Sequence, residues 1–181
     1  MRKLVGAASI LFGVTSVLTS HWVGGSLYEH FDVLHSNTRV VAAQMSLQQL
    51  ALEMVNVDRN RQGLLPLSAH PVLMQVAQLH AEDMLERGYF SHTNPDGALP
   101  GYRVEIAGGS FTAVAENIFT KSGPEASASP ETVQQFQMGW MDSPGHRTHI
   151  LSANYTHFGY GIVSSGEQVY GVQLFGQPFT E

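Results

Sequence analysis

Three residues could do chemistry: His92, Glu116 and His146. Two imidazoles and a carboxylate supply enough lone pairs to hold a divalent cation with a coordination position left open. The same trio could work without metal as an acid/base pair. They lie 24 and 30 residues apart, so only the fold can bring them together, and no His-Glu-x-x-His is present to suggest a zinc peptidase. Ser91 directly precedes His92 and Ser143 lies three residues before His146, but there is no Gly-x-Ser-x-Gly elbow, and both serines read as cap or turn residues. His149 shares a helical face with His146, and His157 follows beyond a loop. These two are either a second pair of ligands or surface histidines. His80 falls on or beside an apolar face and reads as a partly buried, hydrogen-bonded histidine. His30 and His35 read as solvated linker residues.

The elements that must position these groups follow from periodicity and punctuation. Leu47, Leu50, Met54 and Val57 recur at helical spacing from Ser46 onward, and the basic residues and glycine of 60–63 stop that helix. A second helix is expected to start between Ser68 and Pro71, with Ser68 as cap, and to end at Gly88. Asn94-Pro95-Asp96-Gly97 is a turn, and 99–107 predicts a short helix closed by Gly108-Gly109. Residues 111–120 have strand composition interrupted by Glu116-Asn117, and a charge there needs partners or a cavity. Ser129-Pro130 opens a helix whose buried stripe is Val133, Phe136 and Trp140, and Ser143-Pro144-Gly145 breaks it before one further turn. Residues 157–165 and 168–176 read as an antiparallel hairpin. Gly159-Tyr160-Gly161 is no dinucleotide fingerprint, since it lacks the third glycine and a following helix. Helices covering a small antiparallel sheet make an α+β domain.

The bulk numbers exclude several function classes. The 181 residues suit one domain, and 43% hydrophobic residues argue against wholesale disorder. Net charge is −6, and because residues 1–25 hold Arg2 and Lys3 but no acid, the remainder carries 7 basic against 15 acidic residues, or −8. Such a body is a poor partner for nucleic acid, which selects clustered Lys and Arg. With no cysteine, disulfides, thiolate metal sites and a Cys nucleophile are out.

At the N-terminus, Met1-Arg2-Lys3 precedes an uncharged apolar run over 4–18 and a small, polar stretch over 19–26. That order matches a secretory signal, with Val23-Gly24-Gly25 as a cleavage segment. The rival is an uncleaved anchor over residues 4–23, which would be the protein's only membrane contact; the 15-residue apolar core is short of the ~20 needed to span a bilayer. The expected organisation is a signal peptide or anchor over 1–25, a connector over 26–45 and one domain over 46–181.

Six segments together carry a family resemblance: NVDRNRQGLLPL (56–67), LHAEDMLERGYFSHTNPDG (79–97), AENIF (115–119), GWMDSPGHRTHIL (139–151), NYTHFGYG (154–161) and VYGVQLFG (169–176). In this order they resemble the CAP superfamily of cysteine-rich secretory, antigen 5 and pathogenesis-related 1 proteins, or SCP domains, and most of all its cysteine-free bacterial branch. The resemblance implies an α-β-α sandwich, with helices on both sides of a small antiparallel sheet and a central cavity holding two His and two acidic residues. His92, Glu116 and His146 match the first His, the Glu and the second His. Ser143 stands where the second acid lies in other members, Ala115 replaces a Gly, and His149 replaces an Asn common in bacterial relatives. Some members bind zinc or magnesium in the cavity, some eukaryotic ones bind sterols or fatty acids, and protease activity has been proposed for a few; the lipid-binding segments have no match here. The expectation is an exported domain that binds a small ligand, a lipid or envelope component, through zinc or magnesium at His92 and His146, with Glu116 bonded to an imidazole or completing the site. The alternatives are a hydrolase of peptide or cell-envelope material using the same cavity, and an extracellular protein-interaction module.

Overall fold

Ser46 begins the first helix with a reciprocal cap. Its side chain accepts from the Gln49 amide while the Gln49 side chain takes the Ser46 N–H. The computed structural model describes residues 45–179. The signal or anchor read over 1–25 lies outside the described residues, as do His30, His35 and the connector up to residue 44.

Helix α1 spans Leu47–Arg61. Its buried positions are Ala51, Val55 and Arg59, at spacings of four, whereas Val57, expected on the inner stripe, is half exposed. The stripe is displaced because one of its members is an arginine, which no hydrophobic pattern registers. The Arg59 guanidinium donates to the carbonyls of Leu65, Ile150 and Ser152 at 2.9, 2.8 and 2.7 Å, tying α1 to the end of the segment that bears His146. Ser68 does not cap the second helix. Ser68–Ala69 instead forms a two-residue strand, β1, parallel to the start of β3 (His157–Ser165), and His70 occupies the cap position without a side-chain bond. Helix α2 is Pro71–Arg87, closed by Gly88 at φ 67°.

Helix α3 (Pro100–Ile106) leads into β2 (Ala113–Ser122), followed by α4 (Pro130–Asp142), the short α5 (Pro144–Ile150), β3 and β4 (Gln168–Gln177). The strand order is β1-β3-β4-β2, with β2 an edge strand antiparallel to β4. Two apolar layers flank the sheet. On one side Leu73, Val76, Ala77 and Met84 of α2 and Val104 of α3 meet Val172 and Leu174. On the other, Ala51 and Val55 of α1 and Val133, Phe136 and Trp140 of α4 meet Phe158, Tyr160 and Phe175. This is the expected sandwich. The Gly-Tyr-Gly segment serves packing: a Cβ on Gly159 or Gly161 would lie 2.2 or 2.3 Å from the backbone of Leu73 or Ala77, so only glycine lets α2 lie on β3.

Candidate functional site

The site is built across the edge strand β2. Successive strand residues face opposite sides, so Glu116 points into the α2/α3 layer and Asn117 into the α4/α5 layer. Their cross-strand partners are Leu174 and Gln173.

On the first side Glu116 is almost wholly buried, its side chain 1% exposed. Its Oε2 accepts from Arg103 Nη2 at 2.7 Å and its Oε1 accepts from His92 Nδ1 at 2.9 Å. A carboxylate offers no proton, so His92 donates from Nδ1, and in the neutral ring that bond leaves the lone pair on Nε2. His92 itself is about half exposed, at 49%. The expected helix α3 thus contributes Arg103, whose Nη1 also donates to the carbonyls of His92 and Ala98 at 2.8 and 2.7 Å, tying the His92 loop to Glu116. His80, on α2, is buried, as read from its place near the apolar face. Its Nε2 lies 3.0 Å from the Ser91 carbonyl and 3.7 Å from Glu116 Oε1. Burial pushes the His80 pKa down, more than the neighbouring Glu116 charge raises it, so it holds the Ser91–His92 segment as a neutral donor. Ser91 is a turn residue, its Oγ accepting from the Thr93 amide.

From the other side come His146 and His149, both on α5. Ser143 ends α4 with extended backbone (ψ 116°) and starts α5, so the Ser-Pro-Gly break redirects the chain at the residue where the family's second acid would stand. Asp142, next to it, is exposed. His146 Nδ1 is sealed from solvent and has no hydrogen-bond partner among the described residues. Burial, and then the nearby His92, push its pKa down. His149 Nδ1 lies 2.8 Å from Asn117 Oδ1. Burial first, and then His146 and His92, lower its pKa against the opposing Glu116 carbonyl. His92 acts on both His146 and His149, and His146 acts on His149, so the three rings lie near one another. His157 does not join them. It packs against His70 and Phe111, with ring centroids 5.4 and 5.8 Å away, so the second ligand pair of His149 and His157 is not formed.

The donor set bears directly on a metal. Both Glu116 oxygens are engaged, which leaves Glu116 to orient His92 from behind, the usual arrangement behind a metal-bound imidazole. His92 Nε2 and His146 can each offer a nitrogen. Among the described residues no group of three or more His, Asp or Glu side chains is placed to hold a metal ion. Cavities of about 540 Å³ beside α1 and about 420 Å³ between α2 and α3 lie elsewhere; the second reaches His80 and Arg103 but neither His92 nor His146.

Arg103, Asn117, Gln137 and Gln173 escaped the sequence reading. Only the position of Glu116-Asn117 inside an apolar strand signalled that buried partners must exist.

The comparisons with known proteins agree with this architecture. YkwD of Bacillus subtilis, an uncharacterized protein, is 31% identical over 143 residues, which are 79% of this chain and 52% of YkwD, so the chain spans about half the length of that relative. An extracellular protein containing an SCP domain from Bacillus anthracis is 28% identical, with a TM-score of 0.58 over 72% of this chain and 40% of that one. NaASP2, solved with Zn2+, shares the fold at a TM-score of 0.57 over 76% of this chain and 84% of its own, with 16% identity. The cysteine-rich secretory protein family, CAP, matches residues 52–175. With its two-layered helical covering, its edge-strand Glu116 and the flanking His92 and His146, this chain belongs to the CAP family.

Proposed function

We propose that this protein is an exported CAP domain whose His92–Glu116–His146 cleft binds a small ligand through an exchangeable divalent cation, zinc or magnesium. The observation that carries the reading is the buried Glu116 bonded to His92 Nδ1 at 2.9 Å, together with a buried, unpartnered nitrogen on the His146 ring, which lies within electrostatic reach of His92. A buried polar atom left unsatisfied is costly, and a cation or ligand would relieve it. Glu116 holds the His92 ring with its free nitrogen set for a ligand; Arg103 balances the Glu116 charge. A bound cation would supply Lewis acidity and an anchor for a ligand oxygen. Two protein ligands, fewer than the three of a resident catalytic zinc, suit a cation that arrives and leaves with its ligand. NaASP2 supports the choice of zinc, since it was solved with Zn2+. Export follows from the N-terminal charge-and-apolar pattern and agrees with the extracellular SCP-domain relative. Among the described residues no helix is long and apolar enough to cross a membrane.

Calorimetry of the full chain with zinc, against a His92→Ala/His146→Ala double variant, tests the reading. The expected result is heat of binding in the parent and none in the variant. Equal binding by both removes the cation from this cleft.

A further inference from the structure

Behind His149 runs an uninterrupted chain of side chains through the core. Asn117 Nδ2 donates to Gln173 Oε1 at 3.0 Å, Gln173 Nε2 donates to Gln137 Oε1 at 2.8 Å, and Gln137 Nε2 donates to Asp58 Oδ2 at 2.8 Å. Asn117 and Gln173 are 0% exposed and Gln137 is 3% exposed. The chain crosses from β2 to β4 to α4 and ends on α1, where Asp58 also meets Arg61 at 3.1 Å.

An amide can be turned end for end, so one such bond fixes no direction. Here the direction is forced from two places. A carboxylate only accepts, so Asp58 obliges Gln137 to present its NH2, and each following amide must then face the same way. Independently, Asn117 Nδ2 lies 3.2 Å from the His146 carbonyl, which also only accepts. Both anchors leave Asn117 Oδ1 turned to His149.

We infer that Asp58, Gln137, Gln173 and Asn117 form a one-way hydrogen-bond chain that holds His149 in its Nδ1–H form, leaving Nε2 as a preset lone-pair acceptor for a ligand O–H or N–H group beside His92 and His146. Free neutral imidazole favours the opposite tautomer, so the chain works against the intrinsic preference. His149 is then a binding residue, and the four side chains behind it are positioning residues. The inference deepens the proposed ligand-binding cleft but needs no cation, and His149 adds hydrogen-bond specificity there.

The tautomer is read directly from long-range 1H–15N correlation of the imidazole rings in the full, metal-free chain. The expected pattern for His149 is a protonated Nδ1 and a bare Nε2; a protonated Nε2 overturns the inference even where zinc calorimetry succeeds. In Asn117→Leu the Nε2–H form is expected to gain population, and an unchanged ring overturns the positioning role. The parent spectrum decides the tautomer whether or not that variant folds. Diethyl pyrocarbonate, which attacks an unprotonated ring nitrogen, reports presentation. Modification of both His92 and His149 at neutral pH is expected, and labelling of His92 alone overturns the idea that His149 faces a ligand.

Discussion

Replacing Arg103 with Met isolates the ion pair that stands behind His92. Arg103 and Glu116 side chains are 10% and 1% exposed and meet at 2.7 Å. Arg103→Met keeps most of the side-chain volume but leaves the Glu116 charge buried without its cation. Removing one partner of a buried pair costs about 3–5 kcal/mol, because the remaining charge is then uncompensated. The lost Nη1 bonds to the His92 and Ala98 carbonyls put the expected value in the upper part of that range. For a chain of this size the loss corresponds to a fall in Tm of about 10 °C. Urea unfolding of the full chain, followed by tryptophan fluorescence, gives the free energy. The second arm is Arg103→Met/Glu116→Gln, in which neither charge remains. Since neutral replacements of a buried pair are far better tolerated than half of one, the double variant should be the more stable of the two, with a coupling of about 2 kcal/mol. A loss below about 1 kcal/mol in the single variant, or strict additivity in the double, would refute the claim that Arg103 is there to neutralise Glu116.

Two further outcomes follow from the same packing. His70, His80, His146 and His149 all have pKa values held below 6.5 in the fold, mainly by burial. The unfolded chain therefore takes up protons first as pH falls, so stability is full above about 6.5 and declines as pH drops from there toward the folded values; the urea midpoint should be lower at pH 5.5 than at pH 7.5, and an equal midpoint contradicts the burial of these rings. Gly161→Ala places a methyl carbon 2.3 Å from the Ala77 backbone, which must force α2 off β3; we expect at least ~3 kcal/mol lost in urea unfolding, the upper end for overpacking, and a cost under about 1 kcal/mol would show that the helix and strand are not in such close contact.

Local chemistry was readable wherever one segment carried its own signal. Ser129-Pro130 predicted the start of α4, and its buried Val133, Phe136 and Trp140 follow the expected stripe. The hairpin limits at 157–165 and 168–176 agree with the strands to within one residue. The motifs also picked out His92, Glu116 and His146 as neighbours, and the fold sets these three around the edge strand β2. Signals failed where a residue's role depends on a distant partner. Arg59 disguised the inner face of α1 because its burial makes sense only with the Leu65, Ile150 and Ser152 carbonyls around it. Ser68 looked like a cap, but its backbone donates to the Thr156 carbonyl at 2.9 Å in a pairing that no local pattern could show.

The sequence by itself therefore determined the family, the helices and hairpin, and the three side chains that could act, because periodicity, turn chemistry and motif order are all written along one strand of chain. Tertiary structure alone decided which nitrogen His92 and His149 turn to the fold. Glu116 and Asn117 are adjacent in sequence, but the pleat sends them to opposite faces of β2. One therefore fixes His92 from the α2/α3 layer, and the other holds His149 through a line of amides reaching Asp58. Proton placement depends on who accepts from whom, and the partners here lie as many as 79 residues apart.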